Sequence, residues 1–382
     1  MNKKPEVLGS DEKIEMIKSI YRDVLMRDPD PVGLETYSKA SLSKEEIVKV
    51  LKSSTEYKDK FQDFEERFET GSLDKVIIFG AYGNGNLGDA IQAKFLGASL
   101  SERLSGYDVW SASVLPDYYH YNQDFKAPIW LMNHKKYINK FKALIIGGGG
   151  LLSHPHDPLL DREWVESIEI PIYIFGVGAT RNIVEKSRFL IEKCEFVSAR
   201  DSISYAALSE LRNDVTIIRD PVLCQAAMME NSYASPGKIA WVLKGPLNEE
   251  HYFIRKQIRE SDIVLCFEPK VDRAIEGLFP ELIYLPSAES FYSIVRDFSC
   301  VVTSRYHGAI LALLAGKKTI AFGDQKLKTL FHELEHPQLY LENIKEIDYG
   351  LEISFPCVYK RLIEWRADFS KALVKITNKI MV

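Results

Sequence analysis

Apolar positions follow two different spacings along this chain. From residue 11 to about residue 65 they recur at helical intervals: Ile14, Ile17, Tyr21 and Val24 share one face, and Ile47, Val50 and Leu51 form a second stripe after the start signal Ser43-Lys-Glu-Glu46. Arg27-Asp-Pro-Asp-Pro-Val-Gly33 reads as the turn between them, and the charged, glycine-containing segment Phe64 to Leu73 reads as a linker. From Lys75 the pattern changes to short apolar runs separated by amphipathic stretches, which predicts strands and helices in parallel α/β layers. Val76–Phe79, Ala143–Ile146, Ile172–Phe175, Phe196–Ser198 and Val215–Ile218 are expected in one sheet. Ile239–Leu243, Ile263–Phe267, Leu282–Tyr284, Cys300–Val302 and Thr319–Phe322 are expected in another, with the seam near Met228 to Lys238. The reading is therefore α/β: a small all-α domain over residues 1–70, then two Rossmann-like domains over 71–234 and 235–382 facing across a cleft. A last helix, roughly Val358 to Ile380, is expected to pack back on the first sheet.

Composition narrows the function. A chain of 382 residues is long enough for two or three cores. A net charge of −5 lacks the basic face that phosphate backbones require, which argues against nucleic acid as a partner. Cys194, Cys224, Cys266, Cys300 and Cys357 show no metal-ligand spacing and read as reduced thiols of a cytoplasmic protein. The start lacks the apolar core of a signal peptide, and no apolar run reaches the length of a membrane span. Peripheral contact with the inner face of the cytoplasmic membrane is compatible with this.

Chemistry concentrates where the expected strands end. In Cys300-Val-Val-Thr-Ser-Arg305-Tyr306-His307-Gly308 an apolar strand turns into an apolar helix closed by Gly316, so Arg305 and His307 stand at a strand's carboxyl end. The free N–H groups of the helix favour phosphate or carboxylate there, and open parallel sheets bind ligands along this edge. The plainer reading is an arginine on neighbouring carbonyls and a histidine satisfied in the core. Ser198-Ala-Arg200-Asp201-Ser202 repeats the order, with Asp201 and Ser202 placed to cap. If the sheets face each other, Arg200 and Arg305 form two donor forks for one dianion and one carboxylate. An ion pair of Arg200 with Asp201 or Asp220 is the alternative. Lys326 follows the last apolar strand and makes a third cation.

Three glycine-rich loops lie at the same edge. Gly80-Ala-Tyr82-Gly-Asn84-Gly-Asn86-Leu-Gly-Asp89 offers Asn86 or Asp89 as a cap and fits neither the Walker loop nor the dinucleotide fingerprint. Gly147 to Gly150 and Gly176-Val-Gly178 expose bare backbone to a ligand or to a close-packed neighbour. His154-Pro-His156-Asp157 lacks a third ligand at metal spacing and reads as a polar acceptor loop, with an ordinary surface loop as competitor.

Taken together, Tyr82 to Asp89, Ile146 to Leu152, Ser198 to Asp201, Asp220-Pro221, Ser304-Arg305-Tyr306-His307-Gly308 and Lys326 resemble, in order and spacing, the polysaccharide pyruvyl transferase family from about Lys75 to Leu334. The first helical stretch is similar to a small domain of unknown function appended to many bacterial surface and glycan-processing proteins. The resemblance implies the glycosyltransferase B fold and transfer of a pyruvyl group from phosphoenolpyruvate to a sugar, closed as a ketal with release of phosphate. It implies a donor site of Arg200, Arg305, Tyr306, His307 and Lys326, with His307 and Arg200 in catalysis and Asp89 as a base. Acceptor or loop contacts would fall on Tyr82, Asn84, Asn86, Gly149, Gly150, His154 and His156. The acceptor would be a sugar or lipid-linked oligosaccharide of a bacterial cell-surface polysaccharide such as a capsule or exopolysaccharide. No metal and no cofactor beyond phosphoenolpyruvate as co-substrate are implied. Two positions depart from the family pattern: Asn84 stands where an aromatic residue is common, and Tyr306 where leucine is frequent. The competing enzyme is a nucleotide-sugar glycosyltransferase of the same fold, but Glu281 and Glu289, at Glu-x₇-Glu spacing, bracket a strand instead of opening a helix. A non-catalytic glycan-binding protein is the third reading, and it would be expected to lack the arginine, histidine or lysine that are present.

Overall fold

The computed structural model describes residues 10–382 except 26, 59–62, 72, 83–84, 114–130, 133–134, 226–234, 280 and 352. Residue contacts divide the chain into two compact units, Met1–Leu73 and Asp74–Val382.

The first unit is helical: α1 (Ser10–Leu25), α2 (Pro31–Lys39), α3 (Lys44–Ser53), α4 (Thr55–Tyr57) and α5 (Asp63–Thr70). Its helices start where the sequence supplies caps. Asp30 accepts from Gly33 N at 2.7 Å with Pro31 in the first turn, and Ser43 and Glu46 close a capping box. Ile17, Ile20, Ile47 and Leu51 fill the space between α1 and α3. The segment expected as a linker is largely the helix α5, because its charged residues are spaced to continue a helix as readily as to leave it.

The second unit holds two six-stranded sheets, every pairing parallel. The first contains β1 (Asp74–Gly80), β2 (Tyr107–Ser113), β3 (Ala143–Gly147), β4 (Ile172–Val177), β5 (Phe196–Ala199) and β6 (Thr216–Ile217), in the order β2-β1-β3-β4-β5-β6. The second contains β7 (Ser235–Val242), β8 (Ile263–Cys266), β9 (Leu282–Tyr284), β10 (Phe298–Thr303), β11 (Lys318–Phe322) and β12 (Tyr340–Leu341), in the order β12-β11-β10-β7-β8-β9. The central strands are buried along nearly their whole length, as expected of parallel sheets covered on both faces. Two edge strands, β2 and β12, escaped the apolar-run criterion: β2 is half-buried and mixes Tyr107, Asp108 and Ser111 with Trp110, and β12 spans two residues. The stretch Ser235–Lys238, expected in the linker, already belongs to β7.

The two halves share a core beneath the cleft. Leu87, Ile91, Val222 and Leu223 of the first half pack in one cluster with Leu265, Val301, Ile310 and Leu313 of the second. The C-terminal helix Phe355–Ile380 crosses both: Val358, Leu362 and Trp365 join that shared cluster, and Phe369, Leu373 and Ile376 pack with Ile78, Ile145 and Phe175 of the first half. Four cysteines are buried thiols and Cys357 is exposed. Among the described residues no helix is long and apolar enough to cross a membrane.

Candidate active site

The carboxyl ends of β3, β4, β5, β7, β8, β10 and β11 border a cleft of about 720 Å³ between the two halves. On the first half its lining includes Ala81, Asn86 and Asp89. Asn86 caps helix α6 (Leu87–Arg103) by accepting from Gly88 N at 2.9 Å. The helix start is fixed onto the second half by Leu87 N donating to the Phe267 carbonyl at 3.0 Å. Gly88 is required here: a Cβ on it would lie 2.0 Å from Nδ1 of His307. After β3, Gly148 and Gly149 hold φ of +76° and +70°, and Gly149 and Gly150 give the cleft a wall of bare backbone.

His307 sits in the first turn of the helix Tyr306–Leu314 and reaches across the seam. Its Nε2 lies 2.9 Å from Gln92 Nε2 and 3.4 Å from Asp220 Oδ2, and Gln92 Nε2 also donates to Asp220 Oδ2. Gln92 and Asp220, both from the first half, are 1% and 0% exposed. Burial alone would raise the Asp220 carboxyl, but His307, Arg200 and the Val222 N–H more than offset it and hold the group below the usual carboxylate range.

Arg200, at the end of β5, packs its guanidinium 4.7 Å from the centre of the Tyr306 ring, and Lys326 Nζ lies 5.7 Å from that centre. Tyr306 thus holds two cations of the cleft in place. Its hydroxyl stays a phenol, since burial raises it well above the ordinary value. Arg200 gives Nε to Asp201 Oδ2 at 3.3 Å, while its two terminal nitrogens have no hydrogen-bond partner among the described residues. Desolvation pushes the Lys326 ammonium below its ordinary value, opposed by Asp324 and reinforced by Arg200 and Lys244. Lys244, after β7, completes a group of three cations on the cleft wall.

Arg305 has a different surrounding. Nε donates to the Leu243 carbonyl at 3.2 Å, Nη1 to Glu268 Oε2 at 3.0 Å, and Nη2 to Asp272 Oδ1. Asp272, fully buried, also accepts from the N–H groups of Gly245, Phe267 and Glu268 at 3.0, 3.1 and 3.0 Å. The guanidinium therefore ties the loops after β7 and β8 together beneath the cleft and does not line it.

A sequence profile of the family described as polysaccharide pyruvyl transferase matches residues 86–325, well over half of the chain. The chain belongs to that family. The match begins at the Asn86 cap and takes in Gln92, Arg200, Asp220 and the Arg305-Tyr306-His307 turn. No curated protein sequence matches the chain. Among solved structures, the UDP-GlcNAc 2-epimerase of Methanocaldococcus jannaschii in complex with UDP-GlcNAc and UDP is similar with a TM-score of 0.51 at 10% identity, over 80% of this chain and 100% of that one. The UDP-GlcNAc 2-epimerase of Neisseria meningitidis bound to UDP-GlcNAc is similar with a TM-score of 0.50 at 11% identity, again over 80% and 100%. At such identity the likeness is one of fold, and the α/β part of this pyruvyl transferase has the glycosyltransferase B arrangement. Family membership makes it a transferase acting broadly in polysaccharide pyruvylation.

The cleft is lined by Asn86, Asp89, Gly149, Gly150, His154, His156, Arg200, Tyr306, His307 and Lys326. Tyr82, expected as an acceptor contact, lies in the core with its hydroxyl donating to the Gly147 carbonyl, because the turn after β1 folds its ring inward. Asn84 lies outside the described residues. His154 and His156 set their rings edge to face at 6.5 Å, and burial, with the charge of His154 added, lowers the His156 imidazole. Sequence reasoning missed Lys244, Glu268 and Gln92 as parts of the site. Lys244 and Glu268 each follow a predicted strand directly, which was the available signal. Gln92 stands on a helix otherwise buried by Ile91, Ala93 and Leu96, so a polar residue on an apolar face was its mark.

Proposed function

We propose that this pyruvyl transferase takes its group from phosphoenolpyruvate and sets it as a cyclic ketal on a sugar of a bacterial cell-surface polysaccharide precursor, releasing phosphate. The observation that carries this reading is Arg200, buried and stacked on Tyr306, with its terminal nitrogens unclaimed among the described residues at a cleft where Lys326 and Lys244 also face. A phosphate and a carboxylate on one small molecule match that arrangement of donors. The cleft volume suits the donor together with a sugar unit.

In this reading His307, as imidazolium paired with Asp220, gives a proton to the methylene carbon of the donor. The enol double bond is consumed, the adjacent carbon becomes oxocarbenium-like, and a sugar hydroxyl attacks it while Asp89 takes the hydroxyl proton. Phosphate leaves with the electron pair of its bridging bond, its charge held by Arg200, Lys326 and Lys244. A second hydroxyl adds to the same carbon and closes the ketal, its proton passing to solvent or phosphate. Arg305 supports the site from beneath by fixing Glu268. The acceptor loop of His154 and His156 receives the sugar, lipid-linked or free, at the inner face of the cytoplasmic membrane, and no further cofactor is needed.

The test is phosphate release from phosphoenolpyruvate in the presence of a glycan acceptor. Release is expected from the natural chain and not from folded Arg200→Ala or His307→Ala variants. Protection against thermal unfolding by a nucleotide sugar, and none by phosphoenolpyruvate, would sink the reading in favour of a glycosyltransferase.

A further inference from the structure

Beside Arg200 a carboxylate joins the two halves. Glu333, at the end of the helix Gln325–Glu333, accepts Ser202 N on Oε1 at 3.0 Å and Arg219 Nη1 on Oε2 at 2.6 Å. Ser202 is the first residue of the helix Ser202–Ser209, which Asp201 caps through Ser204 N. A side chain of the second half thus takes one of the free N–H groups at a helix start in the first. Arg219 also donates to the Arg200 carbonyl at 3.4 Å, and its guanidinium lies 4.8 Å from the centre of the Trp365 ring. The Arg219 and Glu333 side chains are largely buried, 14% and 15% exposed. The backbone that carries Arg200 is therefore held by the Val177 carbonyl on its N–H, by Arg219 on its own carbonyl and, two residues on, by Glu333.

The helix that ends in Glu333 begins with a cation of the cleft. Lys326 and Glu333 stand seven residues apart, two turns, which puts them on one helix face about 10 Å apart. Lys326 lines the cleft, while Glu333 does not line it and grips the turn after Arg200. A two-turn strut therefore runs from one cation to the backbone of the other. Tyr306 lies between the two charges, its ring centre 4.7 Å from the Arg200 guanidinium and 5.7 Å from Lys326 Nζ. Two donors that take one small anion must stand at a fixed separation, and a guanidinium fork adds a fixed direction. Because that separation spans the two halves, the contact that sets it must span them too.

We propose that Glu333 is a positioning residue of the anion site: by holding Ser202 N and Arg219 it fixes Arg200 relative to Lys326, so that both cations close on one phosphate. The anion-binding roles of Arg200 and Lys326 are taken from the function proposed above.

Inorganic phosphate, titrated calorimetrically into the full chain, is the probe, because it engages the cations without turnover. Glu333→Gln is expected to bind it about five- to twentyfold more weakly than the natural chain, with the donor KM rising in parallel. Ser202→Pro removes the N–H that Glu333 accepts, at a first helical position where proline fits, and the Asp201 φ of −147° and ψ of 170° suit the residue before a proline. It should weaken phosphate by about threefold or more while the urea midpoint stays near the natural one. Since Glu333 acts through Arg200, Glu333→Gln should add less than about twofold to the loss already caused by Arg200→Met. A contact that only stabilised the fold would lower the urea midpoint and leave the phosphate affinity of the folded protein unchanged. Unchanged affinity in either folded variant, or full additivity with Arg200→Met, would overturn the proposal. If phosphate binding shows the expected dependence but phosphoenolpyruvate is not turned over, the donor assignment fails and the role of Glu333 stands. Turnover of phosphoenolpyruvate by Glu333→Gln at the natural donor KM sinks the role of Glu333 alone, and a natural chain that neither binds phosphate nor turns over phosphoenolpyruvate removes both.

Discussion

Arg200 and Arg305 occupy matching places, each directly after an interior strand and before a helix, yet they have opposite surroundings. Arg200 has Asp201 beside it, but that carboxylate also caps the next helix through Ser204 N at 2.8 Å, and the arginine lines the cleft. Arg305 is enclosed by Glu268, Asp272 and a carbonyl. The strand-to-helix turn decides where a guanidinium emerges, and loops after neighbouring strands decide whether it is left for a ligand. One arginine is thus fitted to bind and the other to hold the binding surface in shape.

Exchanging the two roles by mutation tests this contrast most severely. Arg305→Met should destabilise the fold by about 3–5 kcal/mol, since it strands the buried Asp272 and the half-buried Glu268 without their cation. A urea midpoint matching that of Arg200→Met would break the distinction. Arg200→Met should instead lose about 10²- to 10³-fold in turnover, as expected for a charge stabiliser at the reacting group, with a smaller shift in the urea midpoint than Arg305→Met.

A third test concerns the carboxylate beneath His307. Because folding holds the Asp220 carboxyl below its unfolded value, its contribution is complete above roughly pH 4 and is lost as pH falls through the lower, folded value. Asp220→Asn should therefore cost about 1.5–3 kcal/mol at pH 7 and progressively less below pH 4, read from urea midpoints across pH. A cost that is flat from pH 7 to pH 3 would remove Asp220 from the list of ionised partners. The mildest change is Tyr306→Leu, which removes the ring between Arg200 and Lys326. It should raise the donor KM by an amount equivalent to about 0.5–2 kcal/mol while leaving the urea midpoint nearly intact, and an unchanged KM would show that the two cations need no shelf.

Much of the architecture could be read from apolar runs because parallel strands buried on both faces leave no room for alternation. The edge strand β2 was hidden for the same reason: Tyr107, Asp108 and Ser111 face partly outward, and its sequence resembles an ordinary loop. In the site, the residues that follow strands in recognisable order, Arg200, His307 and Lys326, were legible. What was not legible were side chains brought in from elsewhere. Glu268 and Asp272 come from the cap and short helix after β8, whose sequence says nothing of Arg305, and Gln92 and His307 stand 215 positions apart in the chain. Tyr306, noted as a departure from the frequent leucine, meets Arg200 through its ring because Arg200 arrives from the other half, which no local pattern records.

The close approach of Gly88 to the His307 ring bears on how such enzymes can be recombined. The imidazole belongs to one half, while the glycine that admits it and the amide and carboxylate that hold it belong to the other. Grafting a foreign second half onto this first half would therefore demand a matched set at Gly88, Gln92, Asp220 and His307, and a chimera joined only at the linker would assemble its layers and leave the imidazole unseated.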